Sequence, residues 1–249
     1  SNELINLHLL IKNVLETGIN NENVICIKNV NKKESFSILE DIFIKKTKQK
    51  DGFRLEEICT FIGTGKTPSR DKYAKDGSFL LKVGNLTGSG INWFPRDRNF
   101  IAKEELSKRL ASKLPLILKR GDILMTSSAH SPIYIAKKSD VYIGTPDFLQ
   151  EKELSFVGEI MLIRPDLKKI SPFLLLAFLR SSETIKDIQT MVRGQTAHLH
   201  SNDLKNLIVP FEIFEKDSCY SLVSKILEKQ AHISEENNKL KAKEKELLP

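Results

Sequence analysis

Cysteine is scarce in this sequence: Cys26, Cys59 and Cys219 lie far apart, odd in number and without the paired spacing of metal-ligand knuckles. A disulfide framework or a zinc site is therefore not expected, and a reduced, intracellular setting is. Long apolar runs are also missing. No stretch approaches the roughly 20 residues needed to cross a bilayer, and no secretory signal opens the chain. A cytoplasmic protein with no membrane partner is expected. The sequence starts at Ser1-Asn2 instead of a methionine, which leaves room for a longer natural protein.

What is present suits a soluble globular chain: 249 residues, 40% hydrophobic and 29% charged, enough for one large domain or two small ones. Thirty-nine Lys and Arg against 32 Asp and Glu leave a formal charge of +7. That excess favours a polyanionic partner, although many basic proteins bind no nucleic acid.

Along the chain, residues 4 to 15 are apolar and helix-like, with Gly18 as a stop. Strand-like runs follow at 23 to 30 and 36 to 44, and the polar, basic stretch 45 to 52 reads as a linker. Residues 1 to 50 thus form a small N-terminal segment. From Phe53 onward short strands are expected at 78 to 83, 121 to 125, 133 to 137, 141 to 144, 156 to 164 and 207 to 211. Helices are expected at 102 to 112 and at 172 to 192, the second opened by Ser171 and Pro172. The irregular spacing of the strands argues for an α+β fold with a mixed or antiparallel sheet over residues 53 to 211.

Residues 215 to 247 contain no Gly and no Pro, and Ile226, Ile233, Leu240 and Leu247 recur every seven residues. Such a stripe lies on one side of a long, coiled-coil-type helix, assigned here to residues 212 to 249. The second row that a coiled coil needs is poor, because Lys229 or Gln230 and Glu236 or Asn237 occupy it. Packing against a different helix is expected.

Several short motifs suggest chemistry. GTGKT at 63 to 67 looks like a phosphate-binding loop, but Thr60 stands where its first glycine belongs and Pro68 follows at once. A glycine-rich turn with positive φ angles explains it better. Asp147, Asp166 and Lys168 match the loose spacing of a metal-dependent nuclease, in which two carboxylates hold a cation that activates water. Asp166 follows Pro165 just past a strand, where Asp commonly marks a turn. His198 and His200 lack a third ligand, and Ser127, Ser128 and His130 lack the glycine elbow of a serine nucleophile. No metal site and no catalytic residue is assigned.

Basic and planar groups gather in loops. One loop holds Lys66, Thr67, Ser69, Arg70 and Lys72; a second holds Trp93, Arg96 and Arg98; a third holds Arg193, Gln195, His198 and His200. Lys and Arg neutralise phosphates, and Gln, Asn or Arg read base edges through paired hydrogen bonds. Three such clusters in one small domain favour binding to double-stranded DNA.

The order of FRLEEI, GTGKTPS, SFLLKVGNL, KRGDILMT, GEIMLIRPD, SPFLLLAFLRS, MVRGQTAHLH and DLKNLIVPF from Phe53 onward resembles one target-recognition domain of type I restriction-modification specificity subunits. The closing helix resembles their spacer helix, so the resemblance covers residues 53 to 247. It implies a non-catalytic DNA reader that directs an adenine-N6 methyltransferase subunit and a restriction subunit to a bipartite site. Loops at Lys66 to Arg70, Lys82 to Asn85, Ser127 to His130 and Arg193 to His200 are the implied DNA contacts. S-adenosylmethionine, ATP and Mg would belong to the partner subunits. The usual subunit has two recognition domains and two spacers; only one of each is visible here. Two copies joined through their helices, or a fragment, would account for that. The first 50 residues fit the tail of a fused methyltransferase, but no Pro-Pro of the base-holding methyltransferase motif occurs anywhere. A metal-dependent nuclease and a coiled-coil interaction scaffold stay open as alternatives.

Overall fold

A computed structural model describes residues 51–94, 99–102, 104–105, 118–149, 154–194, 196–214 and 219–247. The helix expected at 4 to 15, the strands at 23 to 30 and 36 to 44, the linker up to residue 50 and most of the helix at 102 to 112 lie outside them.

The described chain is α+β. Strands β1 (Gly52–Arg54), β2 (Cys59–Thr64), β3 (Tyr73–Ala74), β4 (Ser78–Leu81), β5 (Phe100–Ile101) and β6 (Ile123–Thr126) come first. Then follow β7 (Ser128–Ala129), β8 (Ser139–Val141), β9 (Leu154–Phe156) and β10 (Ile160–Pro165). Helices α1 (Pro172–Leu179) and α2 (Ser182–Thr190), strand β11 (Ala197–His198), helix α3 (Ser201–Leu204), strand β12 (Ile208–Pro210) and the long helix α4 (Cys219–Leu247) complete the order.

A central sheet in the order β2-β10-β6-β8 is antiparallel throughout. Its middle strand, IMLIRP, is apolar at successive positions because both faces are covered. Met161 and Ile163 point with Ile123 and Met125 into one core, shared with Leu175, Phe178, Val223 and Leu227 of the helices. Ile160, Leu162 and Leu124 point the other way, into a core shared with Phe79, Leu81 and Phe156 of the second sheet. That second sheet runs β3-β5-β4-β9, with β4 and β9 parallel. Period-two alternation thus splits one sheet between two cores, and helices, central sheet and second sheet form three layers. Each fully buried Leu or Ile adds about 1.5–3 kcal/mol, so these two cores dominate stability.

Strands β1 and β12 pair antiparallel, Gly52 opposite Pro210, bringing the start of the domain to the start of α4. A side chain on Gly52 would lie 2.3 Å from the Val209 carbonyl oxygen, so only glycine permits the approach.

Five expectations are corrected. The strand at 156 to 164 divides into β9 and β10 with a turn at 158 and 159, and of the run at 141 to 144 only Val141 is in a strand. The run at 133 to 137 is not a strand: Pro132–Tyr134 form a 3-10 turn and Ala136 takes φ 59°. Its composition is β-like, yet Pro132 starts a turn that alternation alone does not reveal. The helix at 172 to 192 is two helices. Ser181 accepts a hydrogen bond from the Thr184 amide at 3.1 Å and so begins a new helix, while the Arg180 guanidinium turns back to the Ser139 carbonyl and to Asp140. The seven-residue stripe on α4 also divides. Ile226 and Ile233 are buried, Leu240 is 65% exposed, and the side chain of Leu247 lies outside the described residues.

The row that α4 buries in the helical core is Val223, Leu227 and Ala231, four residues apart, against α1 of its own chain. Beyond it the helix uses polar groups: Gln230 donates to the Ser89 hydroxyl at 3.2 Å and Asn238 to the Ile91 carbonyl at 2.9 Å. The loop it meets is itself fixed from beneath. Asp140 accepts from the amides of Thr87, Gly88 and Gly90 at 2.8, 3.0 and 2.7 Å and from Arg180 at 3.1 Å. Burial pushes the Asp140 carboxyl above its ordinary range, and Arg180 with the three amides pulls it back.

Candidate nucleic-acid interface

The register of the central sheet decides which loops meet. Thr64 pairs with Met161 and Ile160 with Thr126, so the segments after β2, before β10 and after β6 all leave from one end. Hydrogen bonds tie them together. Thr67 donates to the Glu159 carboxylate at 2.6 Å and accepts from the Gly158 amide at 2.9 Å. The Ser127 amide donates to the Glu159 carbonyl at 2.9 Å.

Two further segments join. The Val157 amide donates to Leu81 at 3.0 Å and the Lys66 amide to Phe156 at 3.2 Å, which places Lys82, just past β4, at the same junction. The Lys82 ammonium lies 4.7 Å from the centre of the Tyr73 ring, a cation-π contact. On the other flank β11 pairs with β7, His198 opposite Ser128. The Ser128 hydroxyl and His198 Nδ1 are 2.7 Å apart, and Arg193 bridges back to His198 through the backbone.

Sequence-distant residues Lys66, Thr67, Lys82, Ser128, His130, Arg193 and His198 therefore share one end of the fold, with His200 at the start of α3 beside them. Lys66, Thr67, His130, Arg193, His198 and His200 are exposed. Arg193, at 71%, holds Asp203 through one nitrogen at 2.9 Å and leaves the rest of its guanidinium facing solvent. Ser69, Arg70 and Lys72 lie on the exposed stretch leading away toward β3. There the Ser69 hydroxyl and Lys72 hold the Asp71 carboxyl down at about 2, so part of that loop's charge is already matched.

Three other residues expected as contacts are buried. Trp93 packs on Phe79 and Tyr142 in the core between the sheets. Asn85 is buried, accepting from the Lys82 amide and donating to the Asn92 carbonyl, with Asn99 on its oxygen. Ser127 has no exposed surface. The ring of Trp93 and the satisfied amide of Asn85 serve the fold, whereas the buried Ser127 hydroxyl makes no hydrogen bond among the described residues. Arg96, Arg98 and Gln195 lie outside the described residues.

The expected glycine-rich turn is corrected: Gly63 lies within β2, residues 65 to 69 form no turn, and glycine at 65 is selected for another reason. Neither Gly63 nor Gly65 has positive φ. A Cβ on Gly65 would lie 2.3 Å from the Phe156 oxygen and 2.5 Å from that of Val157, so close approach of two backbones selects glycine there.

The residues of the nuclease alternative fall elsewhere. Asp166 accepts from the Lys168 amide at 3.0 Å and caps its own turn at the opposite end of β10, while Asp147 opens a separate 3-10 turn. Among the described residues no group of three or more His, Cys, Asp or Glu is placed to hold a metal ion, and no helix is long and apolar enough to cross a membrane.

Sequence reasoning overlooked Glu159, which latches Thr67 and two backbone amides, and Gln189, which braces the turn after His130. Neither carries a local signal, because their partners lie 92 and 56 residues away.

The sequence matches no family model and no curated protein. Among solved structures the chain is similar to the HsdS subunit from Thermoanaerobacter tengcongensis, at 13% identity and a TM-score of 0.47, covering 96% of this chain and 53% of that one. It is similar also to a chain from a structure on complex assembly and conformational transition of the type I R-M system, at 15% identity and a TM-score of 0.46, with 96% and 53% covered. A third is the type I restriction-modification S subunit from M. genitalium, at 9% identity and a TM-score of 0.38, with 95% and 54% covered. The chain spans about half the length of these solved chains.

Proposed function

We propose that this chain is a DNA-reading half of a type I-like restriction-modification specificity subunit. Residues 53 to 211 act as the recognition domain, and residues 212 to 249 as a spacer that sets its distance from a second half. That half comes from a second copy or from the remainder of a longer protein. The chain does no chemistry of its own; an adenine-N6 methyltransferase subunit and a restriction subunit bring S-adenosylmethionine, ATP and Mg.

The observation that carries this reading is the convergence of five sequence-distant segments at one end of the central sheet, presenting Lys66, Lys82, His130, Arg193 and His198 together. Lys and Arg side chains on loops fixed by these strands attract phosphates and fix orientation, and the other loop residues among them read bases. The order of sequence motifs from Phe53 to Leu247 supports the same reading.

The test uses a duplex selected by the wild-type chain from a random-sequence pool. Lys66→Ala with Arg193→Ala is expected to weaken binding and to reduce the slope of log affinity against log salt by about 2, close to one for each lost phosphate contact. Affinity and salt slope that both match wild type would rule these loops out as the DNA surface.

A further inference from the structure

An apolar feature stands inside this basic end. The 3-10 turn Pro132–Tyr134 follows directly on His130, and it exposes Ile133 at 57% and Tyr134 at 45%. Single exposed apolar residues are common and need no explanation. These two are adjacent, and the backbone beneath them is held from several sides. Gln189 of α2 donates to the carbonyls of both Ile133 and Ile135, at 3.2 and 3.0 Å. The Tyr134 amide donates to Ser131 at 3.2 Å and the Ile135 amide to Pro132 at 3.0 Å. Ile135 and Ala136, just behind, are fully buried, and the Ala136 amide donates to Thr126 at the end of β6. Ala136 takes φ 59°, a left-handed conformation that a non-glycine residue adopts where its surroundings enforce it.

The turn is therefore a rigid mount carrying two apolar side chains outward, with the His130 ring 4.7 Å from that of Tyr134. Exposed Lys137 and Lys138 follow it, and Ser128–Ala129 before it pair with the strand that carries His198. An apolar pair with Lys137 and Lys138 beside it suits a surface that carries phosphates outside and apolar groups between them, and the major groove of duplex DNA has that pattern, with thymine methyls among the base edges.

We infer that Ile133 and Tyr134 form a base-contacting head that determines sequence preference, while the surrounding cations supply attraction common to all sequences. The inference rests on the DNA-reading function proposed above and extends it to residues whose character is opposite to that of a phosphate contact. Rigidity is part of the role, since a head already ordered loses little entropy on docking.

The experiment uses the full chain and two probes, the duplex selected by the wild-type protein and the unselected random pool, over a range of salt. Ile133→Ala and the double variant Ile133→Ala/Tyr134→Ala are expected to lose about tenfold in affinity for the selected duplex. Their affinity for the pool and their salt slope stay as in wild type. Both side chains are exposed, so thermal unfolding is expected to be unchanged and serves as the folding control. Affinity for the selected duplex within about twofold of wild type overturns the inference, as does an equal loss on both probes. Wild-type protein that enriches no duplex from the pool overturns the DNA-reading proposal itself, an outcome separate from the other two.

Discussion

The two ends of the central sheet are built on opposite principles. At the end where β6 begins and β10 finishes, an ion pair is closed inside the protein. Arg164, only 13% exposed, grips Asp122 through two nitrogens at 2.7 Å each, and the Lys119 amide adds a third bond to the same carboxylate. Lys169 donates to the Glu57 carbonyl, and Arg120 to that of Ile143. At the other end Lys66, His130, Arg193, His198 and His200 stand exposed. The same strands thus set a buried ion pair at one end and a group of exposed Lys, Arg and His side chains at the other, a division that net charge alone does not disclose.

Breaking the closed end should have the largest effect. Asp122→Ala removes the carboxylate that Arg164 grips with two nitrogens, and the loss of one partner from a buried pair costs about 3–5 kcal/mol. Urea unfolding is expected to show a fall of that size, and a change under 1 kcal/mol would mean that the pair is not needed there. Next comes the backbone seam beneath the open end. Gly65→Ala forces a Cβ against two carbonyl oxygens at 2.3 and 2.5 Å, neither of which can swing aside. A cost of about 1–3 kcal/mol is expected, together with weaker DNA binding, since Lys66 is the next residue. Unaltered stability with unaltered binding would show that the seam relaxes freely.

How much of this contrast the sequence discloses depends on range. GDILM and FVGEIMLIR are legible as buried strand because apolar residues fill successive positions, although the second run divides between β9 and β10, and α4 is legible from its freedom from Gly and Pro. The basic loops are legible as clusters. Their meeting at one end is not, since it follows from register between strands about 100 residues apart. Trp93 beside Arg96 and Arg98 resembles a binding loop locally, yet Phe79 of β4 and Tyr142 just past β8 enclose it. The break at Arg180 depends on Asp140, 40 residues earlier, and is equally invisible. Composition therefore shows which groups are polar, and tertiary register decides whether protein or solvent satisfies them.

The smallest expected effect sharpens the comparison most. Ser128 and His198 are linked at 2.7 Å across β7 and β11, a contact that resembles the internal pairing of the closed end, but this one lies at the exposed surface. A hydrogen bond between groups that water can also reach contributes little, because each partner regains a water on its loss. Ser128→Ala is therefore expected to shift stability by no more than about 0.5 kcal/mol, read as a small displacement of the urea midpoint with an unchanged slope. Should the loss approach that of Asp122→Ala, the open end would be a structural network in its own right. The His198 ring would then be a brace and not a group held ready for a duplex.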